Sequence, residues 1–384
     1  MNRRTLLKYA TLNALLLPFA LQAKSSLAKT SKQLILIELK GGNDGLNTVV
    51  PYANKHYYKL RPTLGIPQNK VLKLNAKVGL HPSLMALKNI FDGGELAIIQ
   101  GVGYPNPNRS HFRSIEIWDT ASKSQEYLDT GWLDTLSLAE KSIQGVVLGG
   151  DYGPLQGIPS GVIKINNIQG FLQQARQIHG RISLIANNKS LQHILKTESE
   201  IQQGAELLKK SFAQKKKLPH PFKKSRFHKQ MRVATQLINS STDMPFIKVS
   251  LGSFDTHTNQ ANKHAHLLKE LSEGISILRQ NLIESGKWKD TVIMTYSEFG
   301  RRAAENANRG TDHGTAAPHF VIGGDIKGGI YGQHPSLILL DKNRDLIYTT
   351  DFRSIYKSVA RGSFHTISTR TQKFQELNIF RRSS

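Results

Sequence analysis

One stretch of the sequence, from Asp290 to Gly324, constrains the fold and the chemistry of this chain more than any other. It opens with an apolar, β-branched run at 291–296, continues through a long polar loop, and closes with a second apolar run that starts at Phe320. This pattern predicts two strands joined by a loop. Loops of this length inside compact domains are usually functional or disordered, and this one concentrates charged residues and glycines. We expect a functional site here, with Glu298 and His313 among its candidate residues.

Two further apolar runs predict strands that are buried on both faces. Residues 33–39 lead directly to Asp44, and residues 245–251 lead to Asp255 and His257. Open α/β sheets bind ligands at the carboxyl ends of their strands. A carboxylate and an imidazole two residues apart can both turn toward one cation, and this donor pair suits zinc and other transition metals. For Asp44 an ordinary Asp-Gly turn is the alternative interpretation.

A fifth predicted strand, at residues 95–100, is followed by a segment in which prolines exclude a helix until residue 108. Ser110 is then a natural N-cap for a helix that carries Ile115 and Trp118. The positive end of a helix dipole favours a bound anion and the ionised form of a serine hydroxyl. Simple helix capping is the alternative role of Ser110.

Predicted strands and helical stretches alternate along the whole chain, which indicates one α/β domain with a mostly parallel sheet between two helical layers. We place this domain at residues 29–384, with a basic helical insertion at about 170–240. Residues 209–229 hold nine lysines or arginines and no acid, which indicates a solvated loop or a polyanion-binding patch. His264 and His266 are expected at the surface, and His319 and His334 are candidates for additional metal ligands.

The N-terminus indicates export. Residues 2–8 (NRRTLLK) and the apolar run that follows are similar to a twin-arginine signal peptide, with cleavage expected after Ala28 or Ala23. A membrane anchor needs about 20 apolar residues, and this run is shorter. Removing residues 1–28 takes away four of the basic side chains and lowers the formal charge from +24 to +20. With no cysteine in the chain, disulfides and thiolate metal sites are excluded.

The run TDHGTAAPHFVIGG at 311–324, with SEFGR at 297–301 before it, resembles the family known as domain of unknown function 1501. That family belongs with the alkaline phosphatase and sulfatase-like hydrolases. The resemblance recurs at 39–52, 106–120, 252–260 and 349–356. It implies a metal-dependent hydrolase of phosphate or sulfate esters, with Ser110 as the nucleophile and Arg113 or Arg301 as the anion-binding residue. The metal ligands that follow from the strand ends and the resemblance are Asp44, Asp255, His257, Glu298, Asp312 and His313.

The polar loop can be aligned with the relatives in two ways. Asp312 and His313 can match their Asp-His-Gly signature, or residues 297–300 can occupy that position, with Glu298 and Phe299 in place of the Asp and the His. Both alignments keep His313. Because a phenyl ring cannot bind a metal, the second alignment predicts one good metal site rather than the relatives' pair of ions about 4 Å apart.

The expected cofactor is a divalent metal, zinc first, with manganese, calcium and magnesium as alternatives. The expected partners are an anionic small-molecule or polymer substrate and, during export, the twin-arginine translocase. The mature protein would be periplasmic or extracytoplasmic, without a transmembrane span. The chain has no recognised nucleic-acid-binding motif. The alternative function is a non-catalytic envelope protein that binds an anionic polymer or a protein partner through its basic face.

Overall fold

The structure is a computed structural model that describes residues 32–136, 143–158, 161–177, 189–213, 217–240 and 244–381. The predicted signal peptide at 1–28 lies outside these residues, as do Lys215 and Lys216 of the basic segment.

Twelve strands are present in the described part of the chain. They are β1 (Gln33–Leu39), β2 (Val49–Val50), β3 (Leu72–Lys73), β4 (Gly79–Leu80), β5 (Leu96–Gly103), β6 (Gly145–Val147), β7 (Val162–Lys164), β8 (Phe246–Leu251), β9 (Thr291–Tyr296), β10 (Ala317–Gly323), β11 (Gly329–Tyr331) and β12 (Thr350–Asp351).

The α-helices of the same residues are α1 (Gly45–Thr48), α2 (Lys55–Leu60), α3 (Met85–Asp92), α4 (His111–Thr120), α5 (Ile168–Gln177), α6 (Lys189–Ala213), α7 (Arg226–Asn239), α8 (Gln260–Glu284) and α9 (Phe352–Phe364). Short 3-10 helices lie at Pro82–Leu84, Trp132–Thr135, Gly153–Leu155 and Trp288–Asp290. None of the helices that the structure describes is both long and apolar enough to cross a membrane.

The main sheet has the strand order β11-β5-β10-β9-β1-β8-β6-β7, and β12 also pairs with β5. All pairings are parallel except those of β10, which runs antiparallel to both β5 and β9. A small antiparallel sheet, β2-β4-β3, lies apart from it.

Side chains of β1 alternate between two hydrophobic cores, as expected for a strand with helices on both sides. Ile35 and Ile37 pack with residues of α3, α7 and α8, whereas Leu34 and Leu36 pack with residues of α4 and α9. The prediction of a mostly parallel sheet between two helical layers is therefore confirmed.

The direction of β10 determines where the polar loop lies. Parallel strands need a long crossover connection, but antiparallel neighbours can be joined directly at one edge of the sheet. Residues 297–316 therefore leave the carboxyl end of β9 and enter β10 at that same edge. The loops that follow β1, β5 and β8 emerge there as well, because these strands run parallel to β9. Four loops that are distant in sequence thus meet at one edge.

The predicted insertion contains helices α5, α6 and α7. The α7 helix packs against the core, since Met231 and Leu237 are buried beside β8. The basic side chains of 209–229 that the structure describes are all exposed: Lys209, Lys210, Lys217, Lys223, Lys224, Arg226 and Lys229.

Candidate metal centre

Three histidines that are distant in sequence lie together at this edge of the sheet, with His313 between the other two. The Nε2 atom of His313 lies 3.0 Å from the Nε2 atom of His111 and 3.0 Å from the Nε2 atom of His257. His111 is the first residue of α4, His257 follows β8, and His313 precedes β10. The fold therefore brings together residues that are up to 202 positions apart in sequence.

A carboxylate completes the group. One Asp255 oxygen lies 3.0 Å from His257 Nε2 and 3.3 Å from His313 Nε2, and the other lies 3.5 Å from His111 Nε2. The donor atoms of His111, Asp255 and His313 all lie within 4.8 Å of one another. Two nitrogens that bind one tetrahedral zinc ion at about 2.0–2.1 Å would be separated by roughly 3.3 Å. The spacing of these side chains is thus suitable for a single cation.

Each histidine is also held at its other nitrogen, which indicates its tautomer. His111 Nδ1 lies 2.7 Å from Glu298 Oε1, His257 Nδ1 lies 3.0 Å from Asp312 Oδ1, and His313 Nδ1 lies 2.9 Å from the carbonyl oxygen of Arg109.

These outer partners are acceptors, so the Nδ1 atoms carry the protons and each Nε2 atom presents a lone pair. Three lone pairs and a carboxylate oxygen repel one another unless a positive charge lies between them. A proton on one ring satisfies only one of these contacts, whereas a metal ion balances several lone pairs at once.

The carboxylate partners lie outside the ring of donor atoms and orient the histidines. Glu298 is almost fully buried, and its Oε1 atom also accepts the backbone N–H of Gly41 at 2.8 Å. The hydrogen bond that His111 donates to the Glu298 carboxylate raises the pKa of His111 and outweighs the opposing effect of burial. Burial, in contrast, lowers the pKa of His313. Carboxylates in this position raise the basicity of a histidine ligand and keep its ring in place.

Asp255 is held by a buried arginine. Arg301 Nη2 lies 2.5 Å from Asp255 Oδ1, and the Arg301 side chain is fully buried. Burial raises the pKa of Asp255, but the hydrogen bond and charge of Arg301 outweigh this effect and lower the pKa to about 2. Asp255 is therefore ionised at neutral pH and available to a cation.

The same arginine joins the loops of the site. Its guanidinium donates to the carbonyl oxygens of Gly41, Gly42, Phe254 and Thr311. These acceptors belong to the loops that follow β1, β8 and β9. Because nearly all of its donors are occupied by the protein itself, Arg301 positions the site and has no free face for a substrate anion.

The donor atoms are accessible from solvent. The side chains of His111, His257, His313 and Asp255 are exposed by 32, 43, 26 and 45%, respectively. A closed structural zinc site leaves no room for a substrate, whereas a catalytic site keeps an open position. The partial exposure of all four side chains is typical of the second kind.

The other predicted site residues lie in different surroundings. Asp44 is fully buried and caps helix α1. Its carboxylate pairs with Arg61 at 2.5 Å and accepts a hydrogen bond from Gln260, so its partners are these two residues rather than the three histidines. Arg113 donates to backbone oxygens of residues 123–126, and its guanidinium carbon lies 3.8 Å from the centre of the Tyr127 ring. Ser110 is exposed at the start of α4, and its hydroxyl makes no capping hydrogen bond.

His111 was not predicted as a site residue. The available signal was its position beside Ser110, directly after a predicted strand and at the start of a helix. Its role depends on Glu298 and His313, which lie 187 and 202 residues further along the chain. Phe299 is buried and packs against both histidine rings, with centroid distances of 4.9 Å to His111 and 4.8 Å to His313.

The remaining histidines differ in their surroundings. The prediction that His264 lies at the surface is wrong: it is buried, bonds to Asn43 at 2.9 Å, and burial lowers its pKa to about 3. His266 is exposed, as predicted. His319 is buried beside Trp118 with no hydrogen-bond partner in the described structure, and His334 contacts the carbonyl oxygen of Pro335 at 2.7 Å.

Comparison with known proteins identifies a family. The family described as "Protein of unknown function (DUF1501)" matches residues 162–352. This segment includes Asp255, His257, Glu298, Asp312 and His313, whereas His111 precedes it. No curated protein is detectably similar to this sequence.

Several solved structures are similar at low sequence identity. A protein of the alkaline phosphatase superfamily from Vibrio parahaemolyticus is 10% identical, with a TM-score of 0.39 over 86% of this chain and 66% of that one. A sulfatase from Pseudoalteromonas sp. is 12% identical, with a TM-score of 0.40 over 91% and 71%. A lipoteichoic acid synthase from Listeria monocytogenes is 10% identical, with a TM-score of 0.39 over 90% and 74%. This chain thus spans about two thirds of the length of the first of these proteins.

Proposed function

We propose that this chain, whose residues 162–352 match the DUF1501 family, is a metal-dependent hydrolase of phosphate or sulfate esters. One observation carries this proposal: three histidine Nε2 atoms and the Asp255 carboxylate converge at the open edge of the sheet. An isolated imidazole cluster would be costly to maintain, because each lone pair needs a positive partner. A bound cation provides that partner.

We assign the centre to zinc. Imidazole nitrogens with one carboxylate form the donor set that zinc and other transition metals prefer, whereas calcium and magnesium prefer oxygen ligands. His111, His257, His313 and Asp255 would bind the ion directly. Glu298 and Asp312, which the sequence predicted as ligands, would instead orient His111 and His257. This arrangement has one metal position, the number expected when Phe299 replaces a second-site ligand.

A bound divalent cation would act as a Lewis acid toward a phosphoryl or sulfuryl oxygen. The protein would supply the nucleophile, and Ser110 is the candidate because it directly precedes His111 and its hydroxyl is not used to cap its helix. Its Oγ atom would form the new bond to phosphorus or sulfur as the bond to the ester oxygen breaks, and the alcohol would leave with the serine proton. Water would then cleave the seryl ester and release phosphate or sulfate. The start of helix α4 favours negative charge on that hydroxyl. His313 and Asp255 would hold the ion in place rather than react.

The proposed setting is outside the cytoplasm, with an anionic substrate. The N-terminal residues 2–8 support export by the twin-arginine translocase, which would be tested by fractionating cells that express an Arg3→Lys, Arg4→Lys variant. Retention of the variant in the cytoplasm, with the unaltered protein in the periplasm, is the expected result. Export of both proteins alike would contradict it.

The function is tested by metal content and turnover measured together. The purified protein should contain about one metal ion per chain and hydrolyse a generic aryl phosphate or aryl sulfate. His313→Ala should lose both the ion and the activity, Ser110→Ala should lose only the activity, and His266→Ala, a change at an exposed histidine, should lose neither.

Protein that is free of metal and inactive would contradict the proposal. The alternative, a non-catalytic polyanion-binding protein, would then be supported if the protein is retained on an anionic matrix and the exposed basic residues Lys217, Lys224 and Lys229 are required.

A further inference from the structure

A mostly apolar cavity of about 140 Å³ lies beside the metal centre. Its walls come from two loops: residues 103–107, which lead to His111, and residues 341–348, which precede β12. Phe299 and Thr315 also line it. The lining side chains are mostly aromatic and aliphatic, and Asp341 is the charged residue among them.

The cavity and the metal centre share a wall. The Phe299 ring packs against His111 and His313 and also lines the cavity. Thr315 is two residues from His313, so their Cα atoms lie within about 7 Å of each other. The cavity therefore lies next to the histidines, where a substituent of a molecule whose anionic end binds at the metal centre can reach it.

The charged groups next to the cavity balance one another. The buried carboxylate of Asp345, which precedes the lining residue Leu346, faces two guanidinium groups: Arg109 Nη1 lies 2.9 Å from Oδ2, and Arg302 Nε lies 3.6 Å from the other oxygen. Asp341 in the lining adds a second carboxylate, so the two acids offset the two arginines. The cavity itself therefore favours an uncharged group.

We propose that this cavity is the specificity pocket of the hydrolase and accepts one apolar group of the size of a single six-membered ring, attached to the phosphate or sulfate. The inference rests on the proposed function for its anionic end. The size argument is independent, because an apolar protein cavity of about 150 Å³ is large enough to bind benzene. A methyl ester would leave the cavity unfilled, and a larger polycyclic group would exceed it.

Two phosphonates that differ only in this group test the proposal. Phenylphosphonate should bind the protein as purified about 10- to 100-fold more tightly than methylphosphonate, because burying a phenyl ring removes its apolar surface from water. Binding would be measured by calorimetry. The variant Ile347→Trp fills the cavity from its partly exposed rim and should bring the two affinities within about threefold of each other.

Ile338→Trp is the matched control, since Ile338 is exposed on the same connection and does not line the cavity. It should leave the preference for phenylphosphonate unchanged. Fluorobenzene, followed by fluorine NMR, reports on the cavity without any anionic group. It should bind the unaltered protein and the Ile338→Trp variant, but not Ile347→Trp.

The outcomes separate the two proposals. Equal affinities for the two phosphonates, or a phenyl preference that survives in Ile347→Trp, would overturn the specificity pocket while the metal-dependent function stands. Protein without metal that binds neither phosphonate would overturn the proposed function, and with it the assignment of the cavity to a substrate. Fluorobenzene binding would then show only that the cavity is accessible.

Discussion

Replacing Glu298 by glutamine should weaken metal binding although Glu298 does not touch the ion. Its Oε1 atom lies 2.7 Å from His111 Nδ1 and also accepts the N–H of Gly41. In the metal-bound tautomer His111 donates its Nδ1 proton to this oxygen. A glutamine that keeps the bond to Gly41 keeps the same oxygen toward His111, so the variant retains a neutral hydrogen bond but loses the negative charge that strengthens it.

Loss of an outer partner of a metal-binding histidine typically reduces affinity by about 10- to 100-fold, or about 1.4–2.7 kcal/mol. The Glu298 side chain is only 3% exposed, so little solvent screening reduces its effect, and we expect the upper half of that range. Asp312 supports His257 in the same way but is 47% exposed. Asp312→Asn should therefore cost about tenfold or less.

Competition of zinc with a chromophoric chelator measures both affinities directly. Glu284→Gln, at the exposed end of α8, is the control and should bind zinc like the unaltered protein. Thermal unfolding of each metal-free variant shows whether it still folds. If folded Glu298→Gln keeps full affinity, or if Asp312→Asn is the more damaging change, the assignment of Glu298 as the main outer support is wrong.

Three further changes test other parts of the structure. Arg301→Lys keeps the positive charge but loses most of the hydrogen bonds to four backbone carbonyls and to Asp255. The free energy of unfolding, measured by urea titration, should therefore fall by about 3–5 kcal/mol. A fall of less than about 1 kcal/mol would contradict this. Gly310→Ala places a Cβ atom 2.2 Å from the backbone of His257 and should lower the melting temperature and zinc affinity, whereas Gly252→Ala, with open space around it, should change neither.

The third change removes a buried histidine. Burial lowers the pKa of His319 to about 3, below its value in the unfolded chain, so its contribution to stability is fully present above about pH 6.5 and is lost as pH falls toward 3. In His319→Leu, the slope of unfolding free energy against pH between 6 and 4 should decrease by about 1.4 kcal/mol per pH unit. An unchanged slope in equilibrium denaturation would refute this.

The parts of the fold that could be predicted are those specified by local pattern. The apolar runs at 33–39 and 291–296 coincide with β1 and β9, because strands buried on both faces need continuous apolar sequence. Parallel strands end at one edge, so these runs and the one at 245–251 predict that Asp255, His257 and His313 lie close together.

The parts that could not be predicted depend on which side chains of different loops come into contact. Glu298 and Asp312 have the chemistry of metal ligands, and only their contacts with His111 and His257 show that they lie one layer further out. Asp44 also has a carboxylate that could bind a metal, but that carboxylate accepts a hydrogen bond from Arg61, which lies 17 residues later in the chain. No periodicity in the sequence encodes such pairings between loops.

X-ray absorption spectroscopy of the zinc-loaded protein tests the metal centre most directly. The account predicts a first shell of three imidazole nitrogens at about 2.0–2.1 Å with oxygen completing the coordination, and the loss of one imidazole contribution in His111→Ala. A shell of oxygen atoms alone, or a spectrum that His111→Ala leaves unchanged, would contradict it.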